Sequence, residues 1–116
     1  MNYYEYEKPS IYIYYSSEIS DISIFNDILF GIEEEGIPCE VKAQNGLDFL
    51  ELSYKAAQDS RLAVGIGIHL SGKITLTFNK LKKEAPLFTA DLNSGEDVLR
   101  NLGANAGRLV KGIAFK

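Results

Sequence analysis

Ile11 to Tyr15 is an unbroken β-branched and aromatic run, apolar on both faces, and predicts a strand buried inside a sheet. Ile22, Phe25, Ile28, Leu29 and Ile32 then recur at spacings of three and four, the period of an amphipathic helix. Asp21 or Ser23 can cap its start. Its end is marked by Gly36 at a left-handed cap, Ile37 to pack back and Pro38 to forbid continuation. Pro38 to Ala43 predicts a second strand, with Cys39 and Val41 on one face. After Asn45-Gly46, Leu47, Leu50, Tyr54 and Ala57 give a second helical stripe, and Leu62 to Ile68 another buried strand.

The alternation of strand and helix then breaks. Leu70-Ser71-Gly72 is a turn, after which Ile74, Leu76 and Phe78 alternate with Lys73, Thr75 and Thr77. That pattern predicts a half-exposed strand returning as a hairpin, hence antiparallel to its predecessor. Leu87 to Ala90 predicts a short strand. Ser94 and Asp97 form a capping pair for a last helix that turns Val98, Leu99, Leu102, Ala106, Leu109 and Val110 inward. The order β-α-β-α-β-β-β-α predicts an α/β fold, with helices on both faces of a mixed sheet of about five strands.

A chain of 116 residues, 46% hydrophobic and 24% charged, fits a single globular domain over residues 10–116, preceded by an arm at residues 1–9. Six of the seven tyrosines fall in the first fifteen residues. Tyr3, Tyr4 and Tyr6 either extend the first strand and fold onto the domain, or dock on another chain. One cysteine excludes a disulfide framework and a cysteine-based zinc site. The apolar runs reach four or five residues, far below the roughly 20 of a membrane span, and no secretory signal pattern is present, so the expected compartment is the cytoplasm.

Residues 1–40 hold nine acids and one base, and residues 41–116 seven acids and eleven bases. This predicts one acidic and one mildly basic surface. The bases are scattered apart from Lys80, Lys82 and Lys83, which read as a solvated loop, so no nucleic-acid footprint is expected. Gly67 to Lys73 begins like a phosphate-binding loop, but Ile74 replaces the Mg²⁺-holding Ser or Thr and strand period follows where a helix is needed. Gly65-Ile66-Gly67 lacks the third glycine and the helix of a dinucleotide fingerprint. His69 and Cys39, each the sole residue of its type, stand in no nucleophile–base spacing, and no catalytic residue is assigned.

Two features resist so plain an account. Glu33, Glu34 and Glu35 fill the last turn of the first helix, where each exposed carboxylate faces the negative end of the helix dipole at about 0.3–1 kcal/mol. Either they are solvated at that penalty, or a cation or basic surface compensates them; carboxylates alone favour Mg²⁺ or Ca²⁺. In the final helix, Gly103 and Gly107 stand four apart among Ala104 and Ala106, although each glycine costs about 1 kcal/mol against alanine. Such a face permits close approach of this chain's own sheet or of another element. Asn101, Asn105 and Arg108 make a polar stripe beside it, suited to backbone or carboxylate groups.

Gly31-Ile32-Glu33-Glu34-Glu35-Gly36-Ile37-Pro38, Ala85-Pro86-Leu87-Phe88 and Asn101 to Phe115 resemble, in order and spacing, the small subunit of diol/glycerol dehydratase reactivase. Ala104 and Ala114 depart from the family's usual Asn and Pro. The resemblance implies a three-layer α/β/α domain similar to anticodon-binding domains, with one antiparallel strand in a mixed sheet. It implies a non-catalytic subunit paired with a large, Hsp70-like ATPase subunit as an α₂β₂ assembly. That complex acts on coenzyme-B12-dependent dehydratases with damaged cofactor, the small subunit taking the place of the dehydratase's medium subunit so that cobalamin is exchanged. The family's interface metal ligand maps onto Glu34, a divalent cation being shared with the large subunit; Glu33, Glu35, Asn101, Asn105 and Arg108 fall in the interface neighbourhood. Association with a bacterial microcompartment would be in keeping, although residues 1–9 lack the amphipathic helical period of an encapsulation peptide. The competing readings are a shortened medium subunit of a B12-dependent dehydratase and a stand-alone small-ligand module of the same fold class.

Overall fold

The structure, a computed structural model, describes residues 8–116. Five strands, β1 (Ile11–Ser16), β2 (Cys39–Gln44), β3 (Val64–Ile68), β4 (Lys73–Phe78) and β5 (Phe88–Asp91), form one sheet in the order β2-β1-β3-β4-β5. β1 pairs in parallel with β2 and β3, whereas β4 runs antiparallel to both β3 and β5. It is therefore the one reversed strand of a mixed sheet, as expected. Three helices complete the fold: α1 (Asn26–Glu34, entered through a 3-10 turn at Ile22–Phe25), α2 (Phe49–Asp59) and α3 (Glu96–Lys111). Tyr3, Tyr4 and Tyr6 of the expected arm lie outside the described residues.

The two faces of the sheet are chemically different, and the difference places the helices. Ile11, Ile13, Val64, Ile66, Ile68, Ile74 and Leu76 point to one side and bury against Phe25, Ile28 and Ile32 of the α1 segment and Leu99, Leu102 and Ala106 of α3. Each fully buried isoleucine contributes roughly 1.5–3 kcal/mol. The opposite face carries Tyr12, Tyr14, Gly65, Gly67, Thr75 and Thr77 and receives α2 through Leu52 and Ala56. Asp48 starts α2 with a capping box: its Oδ1 accepts from the amides of Leu50 (2.9 Å) and Glu51 (2.8 Å), and Glu51 Oε1 accepts from the Asp48 amide (3.0 Å).

Three expectations need correction. β4 is not half-exposed: Thr75 and Thr77 are buried beneath α2, and the Thr75 hydroxyl lies within hydrogen-bond distance of both Ser53 Oγ (2.6 Å) and the Phe49 carbonyl (2.9 Å). A hydroxyl that finds partners on a covering helix, as that of Thr75 does, can occupy a position that alternation alone assigns to solvent, whereas the Thr77 hydroxyl is buried without a hydrogen-bond partner among the described residues. Ser94 and Asp97 do not cap α3. Ser94 instead accepts from the Asp91 amide in a 3-10 turn at Leu92–Ser94, and Gly95 at φ +105° begins the helix without a side-chain cap. Val98, expected inside, is 46% exposed, whereas Leu99, Leu102 and Ala106 of that stripe are buried in the core and Leu109 and Val110 pack against it.

Candidate functional site

The last turn of α1 and the length of α3 form one corner, and glycine makes it. A Cβ added at Gly31 would stand 2.0 Å from the Arg100 carbonyl oxygen, one at Gly103 2.0 Å from that of Ile28, and one at Gly107 2.6 Å from Glu35 Cβ. The small-residue face of α3 thus serves contact between the backbones of two helices, α1 being the partner rather than the sheet. Gly36, at φ +73°, stops α1 where expected, and its amide bonds back to the Glu33 carbonyl.

With the helices so close, the basic residues of α3 meet the acids of α1 individually. Glu35, with a side chain only 9% exposed, is held by Lys111 Nζ at 2.6 Å and Arg108 Nε at 3.2 Å. Lys111 also donates to the Glu35 carbonyl (3.0 Å), putting a cation on the negative end of α1. Glu34 pairs with Arg100 Nε at 3.0 Å, both side chains about half exposed, and the Arg100 guanidinium lies 5.8 Å from the centre of the Phe30 ring. Glu33 is exposed and makes no ion pair among the described residues. The carboxylate run is therefore compensated in two of its three members by this chain itself. Sequence reasoning missed Arg100, Lys111 and Phe30; the basic residues in the second half of the chain were visible, their registration against Glu34 and Glu35 was not.

The bond from Lys111 holds the Glu35 carboxyl below its ordinary range against the opposing effect of burial, with Arg108 helping. A group with a depressed folded-state pKa stabilises the fold above its unfolded value, about 4.3, and loses that contribution as pH falls through the lower folded value. Glu35→Gln should accordingly show a shallower loss of stability than the wild type between about pH 5 and pH 3. Denaturant titrations at stepped pH check this, and parallel slopes would contradict it.

The polar stripe divides. Asn101 is exposed and borders a shallow cavity of about 190 Å³ between α3 and β5. Asn105 is buried, and its amide clamps the Lys116 backbone, with Oδ1 accepting from Lys116 N at 2.7 Å. Arg108, besides binding Glu35, donates to the Ala114 carbonyl (3.0 Å). Asn105 and Arg108 thus fasten the residues after α3, where Phe115 meets Phe88 edge-on at 5.1 Å.

The remaining candidates take structural positions. His69 Nδ1 accepts from the Ser71 amide (3.1 Å) in the β3–β4 hairpin, and the stretch Gly67–Lys73 runs into β4 with no helix following. Gly65 and Gly67 lie directly under α2. Cys39 is half-buried on β2, and burial, with the charges of Glu33 and Glu40, raises its thiol pKa. No group of three or more His, Cys, Asp or Glu side chains that could hold a metal occurs among the described residues. No helix among them is long and apolar enough to cross a membrane.

Comparison with known proteins completes the description. The family model "Dehydratase medium subunit" matches residues 8–116. The probable glycerol dehydratase-reactivating factor small subunit of Citrobacter freundii is 34% identical over 108 residues, covering 92% of each chain. The propanediol dehydratase-reactivating factor small subunit of Salmonella typhimurium is 38% identical over 94 residues, covering 81% of this chain and 80% of that one. Among solved structures, a glycerol dehydratase reactivase chain superposes with a TM-score of 0.90 at 38% identity, covering 94% of this chain and 97% of that chain. A diol dehydratase-reactivating factor complexed with ADP and Mg²⁺ superposes at 0.87 and 34%, covering 95% and 99%. The chain belongs to the dehydratase medium subunit family and groups within it with the small subunits of the glycerol and diol dehydratase-reactivating factors.

Proposed function

We propose that this chain is a non-catalytic exchange subunit. It pairs with a large, Hsp70-like ATPase subunit in an α₂β₂ complex and displaces the medium subunit of an inactivated B12-dependent diol or glycerol dehydratase, so that damaged cobalamin leaves and intact cofactor enters. One observation carries this reading. A family model described as a dehydratase medium subunit and solved reactivase chains both cover nearly the whole chain, so one fold suits both positions. ATP hydrolysis falls to the partner: the loop at Gly67–Lys73 is a hairpin, and His69 is held in its turn.

The α1–α3 corner is the proposed contact with the partner, around a shared Mg²⁺ or Ca²⁺. A half-exposed Glu34 carboxylate is a hard oxygen donor and fits one position of such an ion, while the described residues offer no further set of ligands. When bound, the ion supplies positive charge common to both chains. In this reading Glu33 and Asn101 face the partner directly, whereas Glu35, Asn105 and Arg108 hold the corner in shape from within. Glu34→Gln should weaken the complex with the co-expressed ATPase subunit by about 10–100-fold and remove its sensitivity to EDTA. Equal affinity and unchanged EDTA sensitivity would refute the assignment.

A second reading has the family model's description in its favour, namely that the chain is a medium subunit of a dehydratase itself. Retention of cobalamin on mixing with a dehydratase large subunit, in the absence of any ATPase, would support that reading over the first.

A further inference from the structure

The three carboxylates at the end of α1 are held with unequal grip. Glu35 is sunk between two cations, and Glu33 has no ion-pair partner among the described residues. Glu34 has one ion-pair partner among the described residues, Arg100, in a water-exposed pair. The Arg100 backbone cannot shift, because its carbonyl fills the space left by Gly31, but 49% of its side chain is exposed. It already lies beside the face of Phe30, itself 43% exposed, and Glu96 and Asp97, four and three residues back along α3, offer another partner at helical spacing.

We propose that Arg100 is a resident counter-cation for Glu34, a positioning residue that must release the carboxylate before a divalent ion can bind there, and so sets the ion concentration at which the two subunits assemble. This rests on the reading of Glu34 given above. Arg100 Nε occupies Glu34 Oε1 at 3.0 Å, while Mg²⁺ needs a carboxylate oxygen at about 2.0–2.1 Å. A guanidinium and a divalent ion on the same oxygen repel, so one replaces the other. In the free subunit Arg100 neutralises the carboxylate; in the complex its charge turns from Glu34 toward Glu96 and Asp97.

The test titrates Mg²⁺ into the full chain and its co-expressed ATPase subunit in metal-depleted buffer, reading complex formation by calorimetry. Arg100→Gln should lower the Mg²⁺ concentration for half-maximal assembly about two- to fivefold, the range an exposed ion pair commands. Arg100→Lys, which keeps the charge, should restore the midpoint to near that of the wild type. Thermal melts within about 2 °C of the wild type establish that the variants are folded. An unmoved or raised midpoint for Arg100→Gln, or a lysine variant that behaves as the glutamine one, overturns the inference. Glu34→Gln separates the two readings. If it leaves the Mg²⁺ dependence intact, the Glu34 assignment falls and this inference with it; if it abolishes that dependence while Arg100→Gln shifts nothing, the inference falls alone.

Discussion

Gly103→Ala should destabilise the domain by about 3 kcal/mol and lower its melting temperature by roughly 10–15 °C. The sign runs against helix propensity, which favours alanine by about 1 kcal/mol in a helix interior. Packing decides the outcome. The added methyl would sit 2.0 Å from the Ile28 carbonyl oxygen and 2.9 Å from its carbon, and neither is a flexible side-chain end that could swing away. The whole of α3 would have to draw back from α1, taking Arg108 and Lys111 away from Glu35 and Arg100 away from Glu34. A thermal melt of Gly103→Ala measures the loss. Asn101→Ala, on the exposed side of the same helix, is the control and should change stability by no more than a few tenths of a kcal/mol. A Gly103→Ala protein melting at or above the wild-type temperature would show that α1 and α3 are not in backbone contact.

Gly65→Ala is expected to cost a similar amount on the other face of the sheet, about 3 kcal/mol. Its Cβ would stand 2.2 Å from the Ala57 amide nitrogen and 2.6 Å from the Ser53 carbonyl oxygen. β3 cannot yield, because it is paired with β1 on one side and β4 on the other. The helix must therefore lift, and it would take with it the Ser53 hydroxyl that accepts from Thr75 and the Asp59 carboxylate that accepts from the Tyr14 hydroxyl. Denaturant unfolding should show a lower midpoint with an unchanged slope, the mark of lost stability without a change in the denatured chain. Wild-type stability in Gly65→Ala would mean that α2 does not rest on the sheet at this point.

Much of this architecture was legible in the residues. The helical character of α1 and α2, the Gly36-Ile37-Pro38 stop and the hairpin at Ser71-Gly72 are local signals, and the structure honours each, although α2 buries Leu52, Ser53 and Ala56 beside Ala57 rather than Leu50 and Tyr54, and Ile22 stays 45% exposed. Features that depend on one element meeting another were not. Alternation in β4 looks like a wet face until Ser53 and Phe49 of α2 are placed above Thr75. Ser94 looks like a cap for α3, but the Asp91 amide at the end of β5 engages it first. The glycines of α3 announced a close approach without naming α1 as its object. The same holds at the candidate site: an uncompensated Glu33-Glu34-Glu35 run is what the sequence displays, whereas the folded chain brings Arg100, Arg108 and Lys111 to it from more than sixty residues away.

That separation has a consequence for how the protein is made. At a synthesis rate of about 5–20 residues per second, several seconds pass between the emergence of α1 and that of α3. Throughout that interval the flank of α1 carrying Ile28, Gly31 and Ile32 has no cover from its eventual neighbour. A chain stalled before residue 96 leaves that flank bare and the acids beside it without Arg100, Arg108 and Lys111. The corner between α1 and α3 therefore closes only once residues 96–111 have been made.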